Sequence, residues 1–329
     1  MSPRIRLESD EPGPGLPSPA TVWLRGHRLP SLGMTSPPNP GPRVRGAGGV
    51  EIATYHLGGD GPPVMLLHAT GFHGRCWLPV APPLMDHFSV WSIDQRGHGA
   101  SDKAPNGDYT DWTFFVDDLF AVLDALSGGG SNEWRGIGHS LGGAVLLLAE
   151  QRQPGTFLDL CCYEPVVLPP KPPSDGFGAE ISMSALALKR RPRFASRQEA
   201  RDNYAAKPPM NGFDPAALDA YVTFGFVDDP GGGVTLACTR EDEASVYEGA
   251  PHSHAWERLP EVRPPVTLLG GEDPRDPVSR FIEDTARRLP RGSAIRMPGL
   301  SHFGPFEDPL AVGRMAASAL GAPSQPVAR

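Results

Sequence analysis

Lysine is scarce in this chain, at four of 329 positions (103, 171, 189 and 207), and acidic residues outnumber basic ones by 38 to 30. The net charge of −8 leaves no basic excess of the kind that general nucleic-acid binding needs, so no nucleic-acid partner is expected. The preference for arginine, beside 39 glycines and 39 prolines, reads as GC-rich coding in a bacterial chain rather than as phosphate binding. No apolar run reaches the roughly 18 residues of a membrane span. The N-terminus lacks the apolar core of a secretory signal. No membrane association is expected, and a cytoplasmic location is. Only four cysteines occur, Cys76, Cys161, Cys162 and Cys238, without metal-ligand spacing. They read as small buried hydrophobes in a reducing compartment, with Cys161 and Cys162 on opposite faces of one strand. No metal and no cofactor is expected.

Glycine and proline are unevenly spread. Residues 1–45 hold ten prolines and six arginines without a sustained apolar period, and read as a flexible tail. Residues 1–33 are expected to be dispensable, with Met34 a candidate start. Strand and helix signals then alternate. "VRGAGGVEIATYHLGG" reads as a hairpin, "PPVMLLHA" as a buried strand, and "CWLPVAPPLMDH" as a short helix. "FSVWSID" is a strand, and "TDWTFFVDDLFAVLDALSGGG" has helical spacing ended by glycines. "WRGIGH" is a strand, "LGGAVLLLAEQ" a helix, and "FLDLCCYE" a strand. After a break from about Leu168 to Arg263, strand and helix resume through "PPVTLLGG", "PVSRFIEDTARRL", "SAIRMPG" and "DPLAVGRMAASAL". This alternation predicts an α/β fold, a mostly parallel central sheet with helices on both faces. The expected core is 46–168 plus 263–320. Residues 169–262 form an insertion with helical stretches such as "DPAALDAYVTFGF", and 321–329 a flexible C-terminus.

The chemistry centres on "WRGIGHSLGGAVLLLAEQ", residues 134–151. G-x-S-x-G between a strand and a helix is a nucleophile elbow: a tight turn with small neighbours holds a serine proud of the sheet at a helix N-terminus. Ser140 is that serine. A serine needs a base, and chain order predicts a late histidine. His302, in the loop "MPGLSHFGPFEDP" after the last strand, fits. His98 in "RGHG" reads as structural, and His139 is expected to point away from its neighbour Ser140. The orienting acid should follow a strand. "VTLLGGEDPRDP" offers Glu272, Asp273 and Asp276; Asp273, at the first turn past the strand, is preferred, and Asp276 reads as a helix cap. Glu164, at the end of "CCYE", is the rival. Two backbone N–H groups must meet an oxyanion. One is that of Leu141, and the other is assigned to Thr70 in "HATGF", with Ala69 the alternative.

These segments, "HATGFHGRCW", "DQRGHGASD", "GHSLGG", "GGEDPRDP" and "GLSHFGPFEDP" in that order, resemble the α/β-hydrolase superfamily over about residues 46–320. The resemblance implies a triad at Ser140, Asp273 and His302, a structural "DQRGHG" turn, and a lid over the active site from the inserted segment. Serine at the nucleophile position departs from the aspartate of haloalkane dehalogenases and soluble epoxide hydrolases. The delayed glycine after His68-Ala69 departs from the usual His-Gly oxyanion loop.

The expected function is a cofactor-free serine hydrolase that cleaves a carboxylic ester or lactone through an acyl-enzyme. Carbon–carbon bond hydrolysis, thioester hydrolysis and perhydrolysis with the same triad are alternatives, as is a ligand-binding member without turnover. The expected partner is a small-molecule substrate, an apolar or aromatic ester, with Phe72, Phe224 and Trp256 as binding residues. Phe194, Phe213, Tyr221 and Phe226 are further candidates for pocket walls. "KRRPRFASRQEAR" reads mainly as a solvated helix face, with carboxylate or phosphate binding as the alternative.

Overall fold

The computed structural model describes residues 39–128, 133–167, 169, 182–272 and 278–322. The first described element corrects the expected extent of the tail. Strand β1 (Asn39–Arg45) pairs antiparallel with β2 (Glu51–Gly58) at the edge of the main sheet. Pro40 and Pro42, read as disorder signals, are tolerated because an edge strand pairs on one side only. Val44 is buried, and Arg43 donates to the Ala100 carbonyl at 2.7 Å and to Asp102 at 2.8 Å. The expected tail thus meets the described residues only in a strand that belongs to the core.

Along the chain follow β3 (Pro63–Leu67), the short α1 (Pro82–Met85), β4 (Ser89–Ile93), α2 (Thr113–Ser127), β5 (Arg135–His139), α3 (Leu141–Arg152) and β6 (Leu160–Tyr163). The inserted segment contributes α4 (Met183–Leu188), β7 (Arg193–Phe194), α5 (Arg197–Ala205), α6 (Pro215–Gly225), β8 (Phe226–Asp228), β9 (Val234–Leu236) and α7 (Arg240–Gly249). The core closes with β10 (Val266–Gly270), α8 (Ile282–Arg288), β11 (Gly292–Arg296), α9 (Gly304–Glu307) and α10 (Pro309–Ala319).

The eight-stranded sheet runs β1-β2-β4-β3-β5-β6-β10-β11, and every pair from β4 to β11 is parallel. Its central strands are buried on both faces, which is why they read as continuous apolar runs. In β3, Met65 and Leu67 join the core cluster with Phe115 and Leu119 of α2 and Val145 of α3. Val64 and Leu66 are as completely buried and point to the other face, by the two-residue period of a strand. Cys161 and Cys162 divide between the faces in the same way, and all four cysteines are free and buried. Among the described residues no helix is long and apolar enough to cross a membrane.

The inserted segment has helix starts legible in its sequence. Ser196 accepts from the Glu199 N–H, Asp214 caps α6 ahead of Pro215, and Thr239 and Asp242 form a reciprocal box at the start of α7. Its three strands make a small antiparallel sheet, β7-β9-β8. Phe194, Phe213, Tyr221 and Phe226 are buried in a cluster with Phe72 and Phe306 of the core. The segment therefore packs on loops that leave the sheet at the carboxyl ends of its strands.

Candidate active site

The register of the sheet brings the site together. Leu67 of β3 pairs with Gly138 of β5, His139 with Tyr163 of β6, and Tyr163 with Leu269 of β10. The residues just beyond these pairs therefore emerge side by side: 68–72 after β3, Ser140 after β5, Glu164 after β6 and 271–272 after β10. The chain order along the sheet reverses at β3, and the crevice outside the strand ends at such a reversal is the usual ligand site of an open α/β sheet.

Ser140 has φ 54° and ψ −114°, a conformation that L residues adopt only under constraint, at a cost on the order of 1–3 kcal/mol. The constraint is visible. The Ser140 N–H donates to the Tyr163 carbonyl at 3.0 Å, and its carbonyl accepts from Ala144 and Val166. Gly142 is required because a Cβ there would lie 2.2 Å from the Leu67 carbonyl oxygen, and one on Gly138 would lie 2.5 Å from the Gly143 nitrogen. The first helical bond of α3 comes from the Ala144 N–H to the Ser140 carbonyl. The Leu141 N–H stands before that bond, among the donors that a helix start leaves unpaired.

His302 lies in the loop between β11 and α9, and its Nδ1 is 2.7 Å from Glu164 Oε2. Glu164 is fully buried and has φ 41°, and its other oxygen accepts the Gly271 N–H at 2.7 Å. The carboxylate is thus aimed at the imidazole from a strained strand end. Asp273, the acid preferred from the sequence, and Asp276 lie outside the described residues. Glu272 is exposed and accepts from the Gly299 N–H at 3.2 Å.

The histidine loop is held at several points. Tyr163 Oη donates to the Ser301 carbonyl at 2.7 Å. The Glu307 carboxylate accepts the Ser301 N–H at 2.7 Å and the Ser301 hydroxyl at 2.6 Å. His139 Nε2 lies 2.8 Å from the His302 carbonyl oxygen. The sequence reading missed these supports. The only local signal was the polar set Ser301, Glu307 around a helix start.

The loop after β3 is fastened by two further histidines. His68 donates from Nδ1 to the Ala69 carbonyl (2.8 Å) and accepts the Gln95 N–H at Nε2 (2.9 Å). His98, as expected, is structural: Nδ1 donates to the Arg96 carbonyl (2.9 Å), and Nε2 accepts the Gly71 N–H (3.1 Å). Both rings are neutral in this arrangement, and burial lowers their pKa values, to about 4 for His68 and about 3 for His98. Gly71 N–H is engaged by His98 and Phe72 N–H by the Ala69 carbonyl, so among the described residues the amides of Ala69 and Thr70, the two candidates from the sequence, are the ones in this loop without such a use.

The expected substrate residues separate. Phe72 is buried, stacks on Phe306 at 4.6 Å and lies 6.4 Å from the His139 ring. Phe224 covers Arg75, whose guanidinium is 4.1 Å from its ring centre. Trp256 is elsewhere. Arg288, at the end of α8 that feeds β11, stacks on it at 5.0 Å, and the neighbouring Ala255 carbonyl accepts from Gln151 near the end of α3. That is the opposite end of α3 from Ser140, towards the amino ends of the strands. Phe303, half-buried, has its ring 5.4 Å from that of His302 and 5.7 Å from that of Phe213. In the inserted segment, Arg190 ties Glu243, Tyr204 and Tyr221 together above Gly71. Its charge is thus already compensated.

The alpha/beta hydrolase family profile matches residues 64–314, most of the chain. The chain belongs to the alpha/beta hydrolase family. An uncharacterized protein of Mycobacterium tuberculosis is 35% identical over 95 residues, 28% of this chain and 26% of that protein, so the match spans about a quarter of that relative. The pimeloyl-[acyl-carrier protein] methyl ester esterase of Methylococcus capsulatus is 38% identical over 109 residues, 32% of this chain and 39% of the esterase. Among solved structures, E-2-(acetamidomethylene)succinate hydrolase superposes with a TM-score of 0.70 at 19% identity, covering 85% of this chain and 98% of that one. At that identity the likeness speaks for the fold.

Proposed function

We propose that the protein is a serine hydrolase that cleaves a carboxylic ester or lactone of a small molecule through an acyl-enzyme. The observation that carries this reading is the strained Ser140 at the elbow, one strand away from the buried Glu164 that grips His302 Nδ1 at 2.7 Å. Ser140 Oγ attacks the carbonyl carbon while His302 Nε2 takes its proton. Glu164 holds the ring with its proton on Nδ1 and stabilises the imidazolium that forms. The oxyanion is met by the amides of Leu141 and Thr70. His302 then protonates the leaving alkoxide, and water, deprotonated by the same histidine, releases the acid and frees Ser140.

The acid role goes to Glu164 because its buried carboxylate lies 2.7 Å from His302 Nδ1. Asp273 is the competing assignment, and exchange of each carboxylate decides between them. Family membership and the relatedness to a methyl ester esterase support ester cleavage. The aromatic surface of Phe213 and Phe303 beside His302 supports an apolar acyl or alcohol group. In this reading residues 182–249 act as a lid.

The test is a screen of p-nitrophenyl esters of graded chain length, lactones and thioesters, with Ser140→Ala as the blank. Ser140→Ala should lower kcat by about 10⁵–10⁶-fold. A fluorophosphonate should label Ser140 alone. Labelling at another serine, or full activity in the alanine variant, overturns the reading. Faster turnover of thioesters than of all oxygen esters moves it to thioester hydrolysis. Stoichiometric labelling without turnover of any substrate leaves a ligand-binding member.

A further inference from the structure

His139, the residue before the nucleophile, is completely buried, yet it is not a passive core side chain. Its Nε2 lies 2.8 Å from the main-chain carbonyl oxygen of His302. A carbonyl oxygen can only accept, so the proton sits on Nε2. Its Nδ1 is buried and meets no hydrogen-bond partner among the described residues. The ring is locked between Phe72 (6.4 Å), Tyr163 (5.8 Å) and Phe306 (5.5 Å), and its centre is 5.0 Å from that of His302. The geometry points to His139 as a positioning residue that bolts the backbone of the catalytic-histidine loop to the nucleophile elbow.

This inference rests on the proposed roles of Ser140 and His302, and it extends them in a definite way. Glu164 fixes the side chain of His302 at Nδ1, and Tyr163 and Glu307 hold the neighbouring Ser301, but none of these contacts acts on the main chain of His302 itself. The His139 bond acts on the main chain of the same residue. It originates one residue from Ser140, so the nucleophile and the base are placed by adjacent positions of one strand end. Misplacement by about 1 Å can cost about 100-fold in rate.

The orphan Nδ1 gives the ring a second property. A proton added there would find no acceptor, and burial, reinforced by the neighbouring His302, holds the pKa of His139 well below the ordinary histidine value. The ring therefore stays neutral while His302, beside it, gains and loses its proton. A second cation at this distance would oppose the imidazolium that the proposed mechanism requires.

The experiment has two arms. In ¹⁵N-histidine-labelled protein at pH 7, two-bond ¹H–¹⁵N correlations should show, beside the ring of His73 that also faces a carbonyl with Nε2, a neutral ring with its proton on Nε2 whose signals are lost in His139→Gln. A proton on Nδ1, or a charged ring, overturns the inference whatever the kinetics. In the second arm, His139→Leu should lower kcat by about 10- to 100-fold with KM changed less than threefold. His139→Gln, whose amide nitrogen reaches the place of Nε2, should recover kcat to within about fivefold of the parent. Equal damage in both variants, or no loss in either, overturns it. Full activity of Ser140→Ala would instead sink the triad reading and leave the tautomer result standing.

Discussion

Replacing Glu164 by Gln is the sharpest probe of the site, because both carboxylate oxygens are committed. One accepts from His302 Nδ1 and the other from the Gly271 N–H, each at 2.7 Å. Glutamine keeps the size but has one acceptor oxygen. If that oxygen serves Gly271, the amide NH₂ faces Nδ1. The imidazole must then carry its proton on Nε2, where the proposed mechanism needs a lone pair for the Ser140 proton. If the oxygen serves His302, two donors confront each other at Gly271 in a site with no solvent access, costing about 1–3 kcal/mol. In neither arrangement does position 164 set a negative charge against the imidazolium. The expected loss in kcat is about 10³–10⁴-fold, or about 4–5.5 kcal/mol of barrier. The assay is initial rate on the best p-nitrophenyl ester between pH 6 and 9, with Asp273→Asn in parallel. The expected result is a loss of less than tenfold in Asp273→Asn. A loss near 10³-fold there, with Glu164→Gln within tenfold of the parent, would refute the assignment and put the acid after β10.

The loop after β3 should tolerate no side chain at Gly71. Its φ is +77°, and a Cβ would lie 2.9 Å from Glu243 Oε1, so Gly71→Ala should cut kcat/KM by about tenfold or more, and unchanged kinetics would mean that the inserted segment does not bear on this loop. Stability should fall with acid. Burial lowers His68 and His73 to about 4 and His98 to about 3 from an ordinary 6.5, so the unfolded chain binds these protons first. Their contribution is complete above pH 6.5 and is lost as pH drops towards 4, by at most about 1.4 kcal/mol per pH unit for each ring. The urea midpoint should therefore fall between pH 7 and 5, less steeply in His98→Asn, and a flat midpoint would contradict neutral buried rings. Phe303→Ala should change the preference among ester chain lengths more than the rate on an acetate. Trp256→Ala should lower Tm and leave that preference alone, and the reverse pattern would overturn the placement of the pocket wall.

The parts of this molecule that were legible in its sequence are those dictated by local sterics. The elbow announces itself because Gly138 and Gly142 stand where backbone atoms come within 2.5 Å of a would-be Cβ, and no other residue type fits. The buried strands were legible because both faces are apolar, and His302 because it follows the last strand. Local pattern failed where the outcome depended on pairing. Pro40 and Pro42 suggested a tail, yet β2 offers an edge on which a proline costs little. The span 169–262 reads as one insertion. By Ala255, however, the chain has returned to the far end of α3, which removes Trp256 from the site. The place of Glu164 shows the limit best. Residues after β6 and after β10 are equivalent in sequence terms, each an acid beyond a short apolar strand. Once Tyr163 pairs with Leu269 on one side and His139 on the other, Glu164 emerges between the nucleophile strand and β10. From there its carboxylate reaches His302 on one side and the Gly271 amide on the other, and only the order of strands in the sheet could have told that.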